Sequence, residues 1–285
     1  MSFSSPKILL RRLGLRPRKA WGQNFLLYPH QAQRIVAALA LSGRETVVEI
    51  GPGLGALTVF LAQEARQVVA LERDPALAQF LGEELFAQDP RVKILCQDVL
   101  TFDFRELSRD AEQPLAVAGN LPYQITSPLL FKLIEEKEAL SQAVLMMQQE
   151  VGDRLLSPPG VKDYGILSVL IQYHFAVARL FSLGPANFFP SPQVNSLVLR
   201  LTPGTTFPRA EDEARLSRVV KAAFAHRRKT LNNTLVSRAP EFGLTPATMR
   251  HILVTLDIDP VRRGETLSVG QFVALSNAIG GGQIE

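Results

Sequence analysis

Runs of apolar residues alternate with amphipathic stretches along the first two thirds of the chain. Apolar runs bounded by turn residues are typical of buried strands, and apolar positions at i, i+3 and i+4 are typical of helices. Seven strands are predicted, at residues 46–50, 68–71, 92–96, 115–119, 143–147, 175–180 and 196–201. Helical patterns lie between them, at residues 30–41, from 57 onward, and at 74–86, 127–134 and 164–173. This alternation predicts an α/β fold with a doubly wound, mostly parallel sheet, and the last two strands suggest an antiparallel edge.

The pattern changes to helices alone beyond Pro203-Gly204-Thr205, which marks a domain boundary. Helices are predicted at residues 211–225, 228–236, 246–256 and 268–279. Thr245 is placed as the N-cap of one of them, with Pro246 at its first helical position. We therefore expect a first domain over residues 1–204 and a smaller all-helical domain over residues 205–285.

A glycine-rich loop follows the first strand. Gly51-Pro52-Gly53-Leu54-Gly55 joins that strand to a helical pattern, and its glycines permit a ligand to approach the backbone closely. The second strand ends in Glu72, 21 positions after Gly51, near the spacing at which a carboxylate meets ribose hydroxyls. The loop also fits the pattern G-x-G-x-x-A, so a nicotinamide-dependent dehydrogenase is an alternative. Gly51, Gly53 and Glu72 are candidate cofactor-binding residues.

The fourth strand is followed by Asn120-Leu121-Pro122-Tyr123, at the sheet edge where open α/β sheets bind ligands. The exocyclic amine of adenine is a poor nucleophile because its lone pair is delocalised into the ring. The Asn120 side-chain oxygen and a nearby backbone carbonyl can accept both amine hydrogens and localise that lone pair. Pro122 fixes φ, and Tyr123 offers an aromatic face for a base. A simple turn after a strand is the alternative interpretation of this tetrapeptide. Taken together with the glycine loop and Glu72, however, the tetrapeptide favours a site for S-adenosylmethionine over a site for NAD.

Two further side chains are candidates for the same site. Asp98 follows the third strand, where it can accept a hydrogen bond from the adenine amine of the cofactor; a solvated loop acid is the alternative. Phe188 opens the proline-restricted loop Phe188–Pro192 and could close the opposite face of a flipped base. Core packing is the usual fate of a phenylalanine.

The net charge of +4 is unevenly distributed. Residues 1–20 form a basic arm with six basic side chains, Arg18-Lys19 among them, and no acidic ones. Residues 21–204 hold 14 basic and 19 acidic side chains, whereas residues 205–285 hold 11 basic and 8 acidic ones. The last segment includes Arg227-Arg228-Lys229, which are predicted to open a helix. A polyanion would thus be gripped from the basic ends of the chain.

Other functional classes find little support in the composition. The arm has the acid-poor composition of a transit peptide, but a functional motif follows it without a spacer. The single cysteine, Cys96, lies on a predicted buried strand, which excludes an intramolecular disulfide framework and fits a reducing compartment. The four histidines lack ligand spacing, so we expect no metal site, and no apolar run approaches transmembrane length.

These segments together resemble the small-subunit ribosomal RNA adenine N6-dimethyltransferases of the KsgA/RsmA type. The matching motifs occur in the family's order over nearly the whole chain: Gly22–Leu26, Glu49–Gly55, Gly119–Tyr123, Phe188–Ser196 and Arg227–Leu231. Departures are small. Trp21 stands where a phenylalanine is commoner, Asn195 where an aspartate is frequent, and Asn232 lies in a variable stretch.

The resemblance implies a seven-stranded Rossmann-like class I methyltransferase domain joined to a helical RNA-binding domain. It places six residues around the methyl donor: Asn24, Leu26, Gly51, Glu72, Asp98 and Asn120. It assigns four to the target adenine: Asn120, Leu121, Tyr123 and Phe188. The implied activity is S-adenosylmethionine-dependent dimethylation of the N6 amines of two adjacent adenines near the 3′ end of 16S rRNA, in the small subunit or its precursor. Arg18, Lys19 and Arg227–Lys229 are the expected RNA contacts.

Three alternatives stay open at this point. A related large-subunit adenine methyltransferase that confers antibiotic resistance is disfavoured by the C-terminal helical segment. A non-enzymatic relative that acts as a mitochondrial transcription factor is disfavoured by the complete Asn-Leu-Pro-Tyr turn. The third alternative is a dehydrogenase, which a cofactor-binding assay would distinguish from a methyltransferase. We expect a monomeric cytoplasmic enzyme involved in ribosome biogenesis, without a metal or a membrane segment.

Overall fold

A computed structural model describes residues 3–18, 21–204 and 206–281 of the chain. The described residues form two compact units. The first comprises residues up to Gly152 together with Val177–Pro203, and the second comprises Asp153–Ala176 together with residues from Gly204 onward. Residues 153–176, which the sequence placed in the first domain, therefore pack with the C-terminal helices.

The strands of the described residues form two sheets. Their bounds are β1 (Phe25–Leu26), β2 (Thr46–Ile50), β3 (Gln67–Glu72), β4 (Val92–Cys96), β5 (Leu115–Asn120), β6 (Leu140–Gln148), β7 (Phe175–Leu183), β8 (Phe188–Phe189) and β9 (Ser196–Pro203). The large sheet has seven strands in the order β4-β3-β2-β5-β6-β9-β7, and β1 pairs with β8 separately. Strands β2 to β6 pair in parallel, whereas β9 runs antiparallel to β6. The predicted seven-stranded sheet is confirmed.

Helices connect these strands and make up the C-terminal part of the chain. Their bounds are α1 (Pro6–Leu13), α2 (Pro29–Ala37), α3 (Thr58–Glu64), α4 (Pro75–Gln79), α5 (Phe104–Asp110), α6 (Thr126–Glu135), α7 (Gln149–Leu156), α8 (Ile166–His174), α9 (Glu213–Ala223), α10 (Leu231–Thr234), α11 (Pro246–Thr255) and α12 (Val269–Gly281). A π-helix, Phe80–Leu85, continues α4. No helix of the described residues is long and apolar enough to cross a membrane.

Side-chain caps fix the starts of several helices. Asp74, Asp103 and Asp212 each accept a backbone N–H bond at the start of α4, α5 and α9. Thr245 accepts one from the Thr248 N–H, with Pro246 following it, as predicted. Every residue of β2 is buried, as are the first five of β5, because these central strands are covered on both faces.

Helix α2 ends at Ala37, four residues before its predicted end. The carbonyl oxygen of Leu39 accepts a hydrogen bond of 2.6 Å from the Gln142 side chain on β6, and that of Ala38 accepts one from Arg200 on β9. Ala40 then adopts a φ of 48°. Side chains that are distant in sequence thus satisfy the carbonyls that another helical turn would have used.

Two further expectations were wrong. Arg227–Lys229 lie in an exposed turn and not on a helix, because the Leu231 N–H donates to the Arg262 carbonyl over 2.7 Å and α10 begins only there. Cys96 is exposed, since β4 is the edge strand of the sheet and only its first residue is buried.

Gly119 on β5 tests the close packing of the central strands. A Cβ at this position would lie 2.9 Å from the Ile50 carbonyl oxygen on β2. Displacing the backbone of a paired strand costs free energy. Gly119→Ala should therefore lower the free energy of unfolding by about 1–3 kcal/mol. Gly281→Ala, with nothing within 4 Å, is the control. Denaturant unfolding that finds the two variants equally stable would contradict this packing.

Candidate active site

The carboxyl ends of four parallel strands lie level at one edge of the sheet. Ile50 pairs with both Leu71 and Gly119, and Glu72 pairs with Cys96. A cavity lies at this edge, with about 1040 Å³ of empty space that includes open solvent. All seven expected cofactor residues line it: Asn24, Leu26, Gly51, Gly53, Glu72, Asp98 and Asn120.

The loop after β2 depends on its glycines. Gly51, Gly53 and Gly55 have φ values of 66°, 60° and 81°, in the left-handed region that other residues adopt only under strain. A Cβ on Gly55 would lie 2.7 Å from the Leu85 side chain, and one on Gly53 would lie 3.0 Å from the Phe25 ring. Glycine at these positions therefore lets the loop pack closely against Phe25 and Leu85 while most of its residues line the cavity.

Glu72 is held as a buried carboxylate at the end of β3. Its Oε2 accepts the Gly53 N–H over 2.9 Å, and its Oε1 accepts the Asp74 N–H over 2.8 Å. Burial raises the pKa of Glu72, while the N–H groups of Asp74 and Gly53 work in the opposite direction. Each oxygen keeps a lone pair after its backbone bond, so the carboxylate can accept two hydroxyl groups from a ligand.

Glu49 also lines the cavity, although it was not among the expected site residues. It is 1% exposed, and its Oε2 has no hydrogen-bond partner among the described residues. Burial, with the nearby charge of Glu72, raises the pKa of Glu49 to about 8. The side chain is therefore protonated at neutral pH. A carboxyl inside an otherwise apolar strand was the signal that could have singled it out.

Asp98 and two neighbours form the next part of the wall. The Asp98 Oδ1 accepts the Leu100 N–H over 3.0 Å, and its Oδ2 lies 3.7 Å from Nη1 of Arg73. Arg73 and Trp21 line the cavity too, and both were missed as cofactor-site candidates. The position of Arg73, directly after Glu72, could have indicated its place at this edge.

Asn120 is oriented by a hydrogen bond from a distant part of the chain. Its Nδ2 donates to the Asn24 carbonyl oxygen over 2.8 Å, and Asn24 in turn donates to the Gly22 carbonyl over 3.1 Å. Because Nδ2 is used in this way, the Asn120 Oδ1 is the atom left to accept a hydrogen from a ligand. Asn120 can therefore act as a fixed acceptor on the cavity wall.

The rest of the Asn-Leu-Pro-Tyr turn is arranged less uniformly. Pro122 lines the cavity, whereas Leu121 is 2% exposed and packs inward. Tyr123 is half-buried, and burial raises its pKa against a hydrogen bond with Ser196. Phe188 is 3% exposed because β8 pairs with β1, which places it opposite Leu26. These three side chains are outside the cavity lining, so their roles toward a target base stay predictions.

The expected RNA contacts are exposed where the structure describes them. Arg18 lies 4.4 Å from the Trp21 ring centroid and 3.5 Å from the Asp74 carboxylate. Lys19 lies outside the described residues. Arg227–Lys229 belong to the second unit. In the described ranges there is no group of three His, Cys, Asp or Glu side chains that could hold a metal ion.

Glu49 predicts a pH dependence of stability. Its pKa is about 8 in the folded protein against 4.5 for the free side chain, so folding takes up a proton between these values. Glu49 therefore makes its full contribution to the free energy of unfolding below pH 4.5, and this contribution decreases as the pH rises to about 8. Glu49→Gln should remove this decline, which is on the order of a few kcal/mol.

Thermal or denaturant unfolding at several pH values measures the effect. Glu45→Gln is the matched control, because the pKa of Glu45 is lowered and gives no slope between pH 5 and 8. Parallel stability profiles for the wild type and Glu49→Gln over that range would show that the carboxyl is ionised in the folded protein.

The chain matches known proteins along most of its length. Residues 14–275 match the family described as ribosomal RNA adenine dimethylase. Ribosomal RNA small subunit methyltransferase A of Myxococcus xanthus is 44% identical, covering 98% of this chain and 96% of the relative. That of Geobacter sulfurreducens is 45% identical, covering 95% of this chain and 98% of the relative.

Solved structures have the same fold. The 23S rRNA methyltransferase ErmE is 26% identical with a TM-score of 0.67, covering 90% of this chain and all of that one. A dimethyladenosine transferase from Plasmodium falciparum has a TM-score of 0.74 at 23% identity, covering 88% of this chain and 95% of that one. With a family match over most of the sequence and a cavity built from the expected residues, the chain belongs to the ribosomal RNA adenine dimethylase family.

Proposed function

We propose that this protein dimethylates the N6 amines of two adjacent adenines near the 3′ end of 16S rRNA, using S-adenosylmethionine. The observation that carries the proposal is the fixed Asn120 amide, which lines the same cavity as Glu72 and Asp98. The identity of 44–45% to relatives named for the small subunit, against 26% to ErmE, supports the small-subunit substrate.

The cavity residues fit the adenosyl part of the methyl donor, which supplies a methyl group bonded to a sulfonium. Glu72 is the acceptor for the ribose hydroxyls, and Asp98 is the acceptor for the adenine amine. Gly51 and Gly53 keep side chains out of the space in front of the loop, where a Cβ would force the backbone into strain. Asn24 and Leu26 line the remaining wall.

The target amine needs help because its lone pair is shared with the adenine ring. The Asn120 Oδ1 accepts one amine hydrogen. The Pro122 carbonyl already accepts from the Thr126 hydroxyl and the Ile125 N–H, so the Leu121 carbonyl is the second acceptor. These bonds would localise the lone pair for in-line attack on the donor's methyl group, in which the N–C bond forms as the S–CH3 bond breaks and the thioether leaves; the methylated nitrogen would then lose its proton to water. Catalysis therefore rests on positioning rather than on a strong base.

Aromatic contacts complete the proposed base site. Tyr123, half-buried and hydrogen bonded to Ser196, presents the ring on which the flipped adenine stacks. Phe188 lies buried opposite Leu26 in the β1–β8 pair, so we assign it the role of supporting this wall from behind. Pro122 stiffens the turn that carries both acceptors.

Basic residues from two parts of the chain are proposed to hold the RNA. Arg18 and Lys19 belong to the N-terminal arm, and Arg227–Lys229 belong to the second unit. Their contacts to phosphates supply affinity without sequence information, and the cavity selects the base. We propose that the enzyme acts as a monomer in the cytoplasm on the small ribosomal subunit or its precursor.

Methylation of undermodified small subunits tests the proposal. Wild-type protein with S-adenosylmethionine should place two methyl groups on each of two adjacent adenines, mapped by mass spectrometry. Asn120→Ala should slow this by on the order of a hundredfold or more while RNA affinity stays close to wild type, because the lost bond matters mostly in the transition state. Asn277→Ala, whose amide bonds to Arg209 in the second unit, should leave the rate unchanged. If Asn120→Ala turns over at the wild-type rate, Asn120 is not the acceptor for the target amine.

The basic turn predicts the salt dependence of RNA binding. Arg227 forms an ion pair of 3.2 Å with Glu265, whereas Arg228 and Lys229 are exposed beside it. The double variant Arg228→Ala, Lys229→Ala should therefore flatten the slope of log affinity against log salt by nearly one unit per lost phosphate contact. Arg227→Ala should change it less.

Arg238→Ala is the control for that measurement, because Glu241 already pairs with Arg238 at 2.7 Å. Binding to small subunits is measured at several salt concentrations. If the double variant keeps the wild-type slope, the RNA surface of the second unit lies elsewhere.

A further inference from the structure

Arg73 is an arginine at the proposed adenine end of the cavity that no step of the reaction above uses. It follows Glu72 directly, lines the cavity, and has a side chain that is 62% exposed. Its Nη1 lies 3.7 Å from the Asp98 Oδ2, and its guanidinium carbon lies 5.7 Å from the centroid of the Trp21 ring. The guanidinium thus lies near both the acid expected to bind the amine of the base and an aromatic residue of the cavity wall.

The Arg73 guanidinium is available to a ligand because another arginine, Arg18, covers the Trp21 ring. Arg18 lies closer to the Trp21 ring, at 4.4 Å, and also pairs with Asp74. Arg18 is therefore the cation that covers Trp21, whereas the contact of Arg73 with the ring is the weaker of the two. A guanidinium is planar, weakly hydrated and stacks well on aromatic faces. The Arg73 guanidinium can therefore stack on the face of an aromatic ligand without losing a strong existing contact.

The two carboxylates define where such a ring would lie. In the proposed function, Glu72 holds the ribose and Asp98 holds the exocyclic amine of the base. A base that donates to the Asp98 Oδ2 approaches the same oxygen that lies 3.7 Å from the Arg73 Nη1, so the guanidinium is a neighbour that the base can contact. The cation also pairs with the Asp98 Oδ2 and so helps to hold this side chain in place as the acceptor.

We propose that Arg73 contacts the methyl donor, with its guanidinium stacked on the adenine ring and its charge holding Asp98 in position as the acceptor. This inference rests on the proposed function, since it takes the cavity to bind an adenosyl group. The contact is made to the base alone. Its loss should weaken adenosine and the complete cofactor by the same factor.

The test measures dissociation constants of S-adenosylhomocysteine and adenosine by calorimetry. The emission of Trp21, the only tryptophan, is a second readout because this residue lines the cavity. Arg73→Ala should weaken both ligands on the order of fivefold to tenfold. Arg73→Lys, which keeps the charge but loses the planar group, should recover less than half of that factor. Thermal unfolding of the ligand-free variants checks that the fold is intact.

Arg91→Ala is the matched control. Arg91 is likewise exposed and paired with an aspartate, Asp89, at 2.8 Å, but it precedes β4 and so lies at the opposite edge of the sheet. It should bind both ligands with wild-type affinity.

The outcomes separate the two ideas. If the wild type binds neither S-adenosylhomocysteine nor adenosine, the proposed function fails, and this inference fails with it. If the wild type binds both and Arg73→Ala binds adenosine equally well, the proposed function stands and the role of Arg73 is overturned. That role is also overturned if Arg73→Ala lowers only the salt slope of RNA binding, because Arg73 is then a phosphate contact.

Discussion

The hydrogen bond from the Gly53 N–H to the Glu72 carboxylate is the interaction on which the site depends. It joins the loop after β2 to the end of β3 at Gly53, a residue in the left-handed conformation. The Asp74 N–H holds the other oxygen, and the Asp74 side chain then caps α4. One carboxylate thereby fixes the glycine loop, a strand end and a helix start, while its remaining lone pairs face the cavity.

A second constraint spans the sequence rather than a single loop. The bond from Asn120 to the Asn24 carbonyl joins residues that are 96 positions apart. It makes the turn after β5 depend on the segment that precedes β1, so the acceptor and the N-terminal wall of the cavity are positioned together. A side-chain amide has an NH2 donor at one end and a carbonyl acceptor at the other, so the bond from Nδ2 orients the group and directs Oδ1 away from the Asn24 carbonyl.

The strands and the cavity-lining residues that follow them could be predicted from local patterns, whereas Asn24 and Leu26 were expected only from the resemblance to the family. Apolar runs define buried strands, and parallel strands bring their carboxyl ends to one edge, so Glu72, Asp98 and Asn120 could be placed together from their positions after these runs. The Thr245 cap was equally local. The deviations all arise from tertiary contacts. Helix α2 stops where distant side chains take its carbonyls, and α10 starts where a distant carbonyl accepts the Leu231 N–H. The exposure of Cys96 follows from strand order and not from the apolar run.

The protonated Glu49 has a consequence for the charge of the cavity. With its pKa at about 8, this side chain adds no charge to the cavity at neutral pH, and Glu72 and Asp98 are the other acidic side chains of the described residues that line it. A sulfonium donor carries a positive charge that the thioether product has lost. Attraction between that charge and an ionised acidic side chain would act on the donor and be lost with the methyl group. A protonated Glu49 adds nothing to this difference at neutral pH, so only the other side chains of the cavity wall can respond to the change of charge between donor and product.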